Sequence, residues 1–440
     1  MRRYVMIGSG VASIAAIEAI RSVDARGEIT LIGDESHGFY SRPGLAYYLS
    51  GEITEGQLFP MDNTYFRELH IRRLHARVER IYPDQHLIRL HNGASLPYDR
   101  LLVAVGAEAT RVDVPGVNLH GVVKLDKLDD ARWIIKLARK ARTAVVVGGG
   151  ITALEIVEGL VRHGVKTHYF LRGDRYWSNV LDKTESQIVE NRLCASGVTI
   201  HYHTSLQEII GKGDRVVGVR TQDGRAIRCD LVGIAIGIRP RIELAELSGL
   251  CVDRGVQVSE TMQSSASDIF AAGDVAQVFD PFTGKSVVDS LWGPAREQGY
   301  AAGLNMAGIT TPYYKLIAFN VTRLADLTTT IIGTVGRGDD QDVIGIVRGD
   351  SETWRQLPDA IAVQSNFEIN RLRIQLGQKT LLGAIIMGDQ TLSMPLHQMI
   401  AEQADITPIR QQLVQPDAPL VDILADFWSV WRARRALATQ

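Results

Sequence analysis

The chain is poor in cysteine: Cys194, Cys229 and Cys251 are its only three in 440 residues. That is too few and too scattered for a disulfide framework, and no two form a C-x-x-C pair, so a thioredoxin-like dithiol and a cysteine-rich metal site are both excluded. Each lies in an ordinary helix or strand context, where a structural thiol is expected. Long apolar runs are also missing, and none approaches the ~20 residues that a membrane-spanning helix needs. Charge of one sign is absent as well. The formal net charge is -2, from 48 Lys and Arg against 50 Asp and Glu, which gives no global electrostatic case for a nucleic-acid partner. With 45% hydrophobic and 22% charged residues the composition is that of a soluble globular protein, long enough for two or three cores. Met1-Arg-Arg leads straight into a strand, so the opening residues read as fold, not leader, and a cytoplasmic location is the expectation.

What is present is organised around the first thirty-five residues. Tyr4-Val-Met-Ile7 is a short apolar run that ends at Gly8-Ser9-Gly10-Val11-Ala12-Ser13, and Ile14 to Val23 then carries apolar residues at helical spacing. Glu28 to Ile32 reads as a second strand, followed by Gly33-Asp34-Glu35. Strand, glycine turn, helix, strand and acid is the order of a dinucleotide-binding unit. Gly8 permits the tight turn, Gly10 lets backbone N–H groups approach a pyrophosphate, and Ser13 is small enough for helix and strand to pack closely. The helix N-terminus faces the phosphates with its positive end, and Asp34 or Glu35 is placed to accept hydrogen bonds from a ribose.

The pattern returns once. Thr143-Ala-Val-Val-Val147 runs into Gly148-Gly-Gly150-Ile151-Thr-Ala153-Leu-Glu155, a helix to about His163 and a strand from Lys166 to Leu171. Two such units in one chain imply two nucleotides held side by side, one delivering to the other. The copies differ at the end of the second strand. Where an acid would meet the adenine ribose of NAD, the register gives Leu171, then Arg172 and Asp174-Arg175. Arg172 or Arg175 could pair with the 2'-phosphate of NADPH; as solvated loop residues they would leave NADH in use.

Between and beyond the units, Arg42 in His37-Gly-Phe-Tyr40-Ser-Arg42-Pro43 offers a planar fork of donors to a diphosphate. Ala76 to Ile81 and His86 to Leu90 alternate like a hairpin, and Leu101 to Gly106 is a buried strand mirrored by Asp230 to Pro240. Val198 to His201 and Val216 to Thr221 read as meander strands about the turn at Gln222-Asp-Gly224. Ser267 to Ala272 is a strand ending at Gly273-Asp274, whose carboxylate could accept from a polyol hydroxyl, a group flavins have and nicotinamide cofactors lack. A helix beginning near Leu291, with Pro294 in its first turn, would aim its N-terminus at a flavin's N1 and O2 edge. From about Leu316 the chain becomes β-rich, with strands expected at Thr328 to Gly333, Val343 to Val347, Ala360 to Gln364, Arg371 to Leu376 and Leu381 to Met387, then helices. The tail Pro419 to Arg435 is amphipathic at helical spacing, which fits a docked terminal helix or a partner or membrane-surface contact.

These residues resemble the pyridine-nucleotide-dependent flavoprotein reductases with two dinucleotide-binding domains, the family that includes glutathione reductase. Gly8 to Ser13, Ala104-Val-Gly106, Gly148 to Glu155, Ala235 to Pro240 and Ala271 to Asp274 stand in the family's order over roughly the first 315 residues. The stretch Gly33 to Pro43 looks like the ferredoxin-reductase and nitrite-reductase flavin-module branch. The resemblance implies an α/β fold with two Rossmann-like domains plus a C-terminal α+β domain: 1–111 with 242–315 for FAD, 112–241 for NAD(P)H, and 316–440 as an interface domain. It places Gly8, Ser9, Gly10, Val11, Ala12, Asp34 or Glu35, Arg42, Pro43, Val78, Ala104, Gly106, Gly273, Asp274 and Ala295 around FAD. It places Gly148, Gly150, Ile151, Glu155, Arg172 and Gly237 along the path of the nicotinamide cofactor.

Two departures from the family shape the expected chemistry. Disulfide reductases of the family carry a C-x-x-x-x-C helix beside the flavin, and the peroxidase branch carries one cysteine just before a stretch like Gly44-Leu-Ala-Tyr47-Tyr48. Here Pro43 holds that cysteine's place, and a pyrrolidine cannot relay electrons or form a sulfenic acid. The lysine that ferredoxin-reductase relatives carry beside the flavin appears as Tyr47. The expectation is an FAD-dependent NAD(P)H oxidoreductase that gives electrons to an electron-transfer protein. Alternatives are an oxidase or quinone reductase with a small acceptor, and a slowly turning over sensor or assembly subunit that uses the C-terminal domain and tail to assemble with partners; a homodimer through the C-terminal domain is a further expectation. No iron–sulfur or sirohaem cysteine set is present, so a complete nitrite reductase is excluded.

Overall fold

The computed structural model describes residues 1–335, 370–415 and 419–438; the strands expected at Val343 to Val347 and Ala360 to Gln364 lie outside the described residues. Packing divides the chain into two units. One comprises Met1–Tyr176 and Leu193–Lys315, the other Trp177–Arg192 and the described residues from Leu316 onward.

The first unit holds two five-stranded parallel sheets of one design. In the first sheet the strands lie in the order Ile269–Ala271, Arg100–Val103, Arg3–Ile7, Glu28–Gly33, Ile71–His75. In the second the order is Val122–Val123, Leu231–Ile234, Thr143–Val147, Lys166–Phe170, Thr199–His201. The central strand of each feeds a glycine turn and a helix, Val11–Val23 or Ile151–Arg162. Tyr4 to Ile7 and Ala144 to Val146 are buried throughout, which is why they read as unbroken apolar runs instead of alternating ones. The helix Trp292–Ala307, with Pro294 in its first turn as expected, lies backbone to backbone against Val11–Val23. A Cβ on Gly299 would lie 2.1 Å from the carbonyl oxygen of Ala12, and one on Gly303 2.3 Å from that of Ala16, so both positions need glycine.

Two readings of the sequence are corrected. Thr199–His201 does not enter the meander but forms the edge strand of the second parallel sheet; the meander is Leu206–Lys212, Arg215–Thr221 and Ala226–Arg228. Three residues carry too short a period to reveal which sheet they join. The run Asp230 to Pro240 also divides. Leu231–Ile234 stays in the sheet, and after Gly237, at φ +127°, Ile238–Pro240 pairs antiparallel with Ala107–Ala109. That ribbon ties the segment leaving the first sheet to the one returning from the second.

The second unit is α+β, as expected. Its antiparallel sheet has the order Phe319–Leu324, Leu327–Gly333, Leu381–Met387, Arg371–Leu376. Helices Ser393–Ala401, Thr407–Leu413 and Leu420–Ala438 pack around Leu396, Met399, Ile406 and Leu424. Trp428 of the terminal helix donates its indole N–H to Gln398 at 2.9 Å, and Arg435 pairs with Glu402 at 2.5 Å. The segment Trp177–Arg192 belongs here through its acids: Arg371 pairs with Asp182 at 2.6 Å and Arg373 with the fully buried Glu185 at 2.8 Å.

Candidate cofactor site

The first glycine turn is held by contact with a neighbouring strand end. Gly8 adopts φ +107°, donates its N–H to Ile32 at 2.8 Å, and stands so close to Ala104 that a Cβ would lie 2.1 Å from its carbonyl oxygen. Ser13 closes the turn by donating to the Gly8 carbonyl at 2.5 Å, so this serine fastens the loop as well as fitting beneath it. Gly10 is the N-cap of the Val11–Val23 helix, with open space where its Cβ would be, no side-chain cap and no acid in the first turn. The N–H groups of that turn are therefore left for an anion.

A second helix N-terminus converges on the first. Gly273, at φ +79°, sits with the methyl groups of Ala12 and Ala295 at 3.4 and 3.7 Å from the place of its missing Cβ. Its N–H donates to the buried Gln298 at 2.9 Å. Gly273-Asp274 thus joins the starts of helices Val11–Val23 and Trp292–Ala307, and the latter also lacks a side-chain cap. Two uncapped helix starts, a glycine turn without Cβ atoms and a following carboxylate fit a dinucleotide that carries both a diphosphate and a polyol chain.

The acids after the second strand have different surroundings. Glu35 is almost buried, accepting from Tyr40 at 2.9 Å and pairing with Arg42 at 2.6 Å. Asp34 is half exposed and pairs with Lys127 at 3.2 Å. Burial alone would raise the Asp34 carboxyl, but the Lys127 ammonium outweighs it and holds the group below the usual carboxylate range. Arg42 also donates to the Asp126 carbonyl at 2.7 Å. Desolvation opposes its charge, although 40% of the side chain remains accessible. Tyr40, Glu35, Asp126 and Asp274 more than offset that opposition, and the guanidinium is raised above its ordinary value. Pro43 caps the short helix Gly44–Leu49, and Val78 is a buried residue that opens the hairpin strand Val78–Tyr82. Gly106, at φ +69°, accepts at its carbonyl from Arg241 N–H at 3.0 Å. Lys127, Asp126, Arg241 and Gln298 escape a sequence reading, because none sits at a fixed offset from a glycine motif.

The second turn repeats the first. Gly148, at φ +145°, would place a Cβ 2.0 Å from the Ala235 carbonyl oxygen; Gly150 is the N-cap of Ile151–Arg162, again with open space, no side-chain cap and no first-turn acid. Ile151 is buried, and Glu155 lies half-buried one turn along the helix. Gly237 accepts from Thr110 N–H at 2.9 Å, on the ribbon that joins the two halves. Arg172 is exposed just past the second strand. None of the three thiols lies in either turn, and burial pushes the Cys229 thiol up to about 12, away from a reactive thiolate.

The pyridine nucleotide-disulphide oxidoreductase family matches the chain over residues 2–299. The chain belongs to that family. It is 27% identical over 420 residues to the NAD(P)H nitrite reductase of Bacillus subtilis, covering 94% of this chain and 49% of the relative, so it spans about half that relative's length. It is 30% identical over 314 residues to the 3-phenylpropionate/cinnamic acid dioxygenase ferredoxin–NAD(+) reductase component of Photorhabdus laumondii, covering 70% of this chain and 78% of the relative. The ferredoxin reductase for the CYP199A2 system from Rhodopseudomonas palustris shares the fold, with a TM-score of 0.81 and 22% identity over 96% of this chain and 99% of that one. This family member is an oxidoreductase that uses FAD and NAD(P)H, and both turns fit those cofactors. Among the described residues no helix is long and apolar enough to cross a membrane, and no cluster of His, Cys, Asp or Glu could hold a metal ion.

Proposed function

We propose that this chain takes electrons from NAD(P)H and passes them to an electron-transfer protein without a thiol relay. The observation that carries the reading is Pro43. It caps the helix Gly44–Leu49, which packs on the helix of the second glycine turn through Leu49 and Gly159, so the place of a redox cysteine between the two units is taken by a ring with no sulfur. FAD, when bound, supplies the group that accepts a hydride from NAD(P)H and releases electrons singly. The protein's part is positional and electrostatic. The N–H groups behind Gly10 and the Arg42 guanidinium would hold the diphosphate, Asp274 would accept from the polyol chain, and the start of Trp292–Ala307 would favour negative charge on the ring by roughly 0.3–1 kcal/mol. Residues 1–111 and 242–315 form the FAD domain in this reading, and 112–241 the nicotinamide domain. The domain 316–440 serves assembly, as a homodimer or against the acceptor, in the cytoplasm. The ferredoxin–NAD(+) reductase relative favours an iron–sulfur protein as acceptor.

Anaerobic mixing of the purified yellow protein with NADPH or NADH, followed by a ferredoxin-type protein, a quinone or oxygen, tests this. Flavin bleaching and fastest reoxidation by the iron–sulfur protein are expected; no bleaching with either nucleotide sinks the reading, and faster reoxidation by quinone or oxygen moves it to a small-acceptor reductase.

A further inference from the structure

The chain leaving the helix Trp292–Ala307 turns back along it. Asn305 donates its amide to the Thr311 carbonyl at 2.7 Å and accepts from the Thr311 N–H at 2.9 Å, which fastens the turn. Next, the Tyr313 N–H donates to the Glu260 carbonyl at 2.7 Å, and the Tyr313 side chain is buried beside Gln298, the residue that accepts from the Gly273 N–H. Lys315 then brings its ammonium between Asp280 at 3.7 Å and Asp289 at 3.9 Å. Asp280 ends the strand Ala276–Asp280, and Asp289 directly follows the antiparallel partner strand Lys285–Val288, two residues before Leu291, the N-cap of Trp292–Ala307.

Lys315, Asp280 and Asp289 are all buried, none more than 6% exposed. Among the described residues this cluster sets two carboxylates against one ammonium, and Asp274 adds a further negative charge from the cofactor turn. Away from water such a surplus of charge is costly, and one bound proton removes it. Asp289 is where that proton is held. Desolvation, with Asp274 and Asp280, outweighs the Lys315 ammonium and the Leu291 N–H, and pushes the carboxyl up to about 6. Two other titratable groups feel Asp289: Tyr313, kept un-ionised by burial, and Glu297 on the exposed side of the helix.

We propose that Asp289 is the proton-holding residue of the flavin site, taking one proton from solvent when a hydride reaches the ring at the start of Trp292–Ala307. The inference rests on the assignment of the first turn to FAD and adds the residue that balances the charge there. A hydride delivered by NAD(P)H leaves one negative charge on the ring. That charge favours the protonated form of Asp289 as Asp274 already does, because like charges oppose ionisation. Two electrons and a proton move as hydride to the ring, and a second proton, from water, forms an O–H bond on Asp289. This proton returns to solvent on reoxidation, so no further oxidant or reductant enters. Lys315 is a positioning residue that sets the pH at which the uptake occurs.

The test follows the midpoint potential of the FAD-loaded protein from pH 5 to 8, with dithionite as the electron source and reference dyes as the readout. Below pH ~5 the acid is protonated in both redox states, so the wild type and Asp289→Asn should share one slope. Above pH ~6 the wild type should take up to one more proton per two electrons, a further change of up to tenfold in its reduction equilibrium per pH unit that D289N lacks. Lys315→Met removes the ammonium and should carry the steep window to higher pH. Equal slopes in wild type and D289N overturn the inference; if D289N fails to hold flavin, a window that stays in place in K315M overturns it instead. Because dithionite supplies the electrons, a steep window in protein that neither NADH nor NADPH bleaches would sink the proposed function and leave this inference standing. Bleaching by NAD(P)H with equal slopes would do the reverse.

Discussion

Leu49 fills the notch that Gly159 leaves in the helix of the second turn: a Cβ at Gly159 would lie 2.3 Å from Leu49 Cγ. His163, one turn further along, holds the Leu49 carbonyl at 3.1 Å through a ring nitrogen. The short helix after Pro43 is thus set against the helix Ile151–Arg162 of the second turn at the separation that one missing methyl group allows. Gly159→Val should push the two apart. Because misplacing reactants by about 1 Å can lower a rate on the order of 10²-fold, stopped-flow bleaching of the flavin by NADPH should slow by that order. Flavin content and nucleotide affinity should stay as in the wild type; an unchanged rate would show that this contact does not set the distance.

The two glycine turns should fail separately. G8A forces a Cβ toward the Ala104 carbonyl at a φ that only glycine tolerates easily, and the protein should purify colourless. G148A meets the same obstacle at Ala235 and should purify yellow yet resist reduction. Strain of at least ~1–3 kcal/mol at each site corresponds to roughly ten- to a hundredfold weaker ligand binding. Flavin absorbance and anaerobic titration distinguish the two outcomes.

Asp289, just before the start of Trp292–Ala307, should give the stability of the first unit a measurable pH dependence. Burial pushes its carboxyl up to about 6; Lys315 at 3.9 Å lowers it, and Asp274 and Asp280 raise it again. The folded pKa exceeds the unfolded value, so the folded chain holds this proton more tightly. That contribution is complete below pH ~4 and is lost as the pH rises through ~6. A difference of about two pH units corresponds to ~3 kcal/mol. Urea unfolding of the wild type and Asp289→Asn from pH 4 to 7 should show the wild type losing ground by that order, and parallel curves would refute the assignment.

The ion pair between Arg373 and Glu185 should be essential to the second unit. Arg373 also donates to the Val335 and Val180 carbonyls at 2.8 and 2.7 Å, and removing it leaves the wholly buried Glu185 carboxylate with Arg371 at 3.7 Å and the Asp182 N–H at 2.8 Å in place of its 2.8 Å partner. R373M should destabilise by ~3 kcal/mol, the lower end for a broken buried pair because the arginine is partly exposed. R373M combined with E185L should recover most of the loss in thermal unfolding.

Much of the first unit was legible because its signals are local. A glycine whose Cβ would strike a carbonyl, as at Gly8 and Gly148, announces itself by type, and buried parallel strands such as Tyr4 to Ile7 announce themselves by unbroken apolarity. The polar second layer was not legible. Nothing in Lys127 or Asp126 shows that they meet Asp34 and Arg42, 93 and 84 positions away, because a long-range polar contact leaves no period in the sequence. Leu206–Lys212 was missed for a related reason: Gln207, Glu208, Gly211 and Lys212 dilute its alternation. The allegiance of Trp177–Arg192 was hidden too, since helical spacing reports that a face is buried and not what buries it.

That allegiance has a consequence in time. Glu185 and Arg373 are 188 positions apart, and a ribosome adding roughly 5–20 residues per second needs on the order of 10–40 s to make the stretch between them. Throughout that interval the acids of Trp177–Arg192 have left the ribosome and the strand that will neutralise them does not exist. The second unit therefore cannot close until the strand Arg371–Leu376 has been made, although its segment Trp177–Arg192 is made long before.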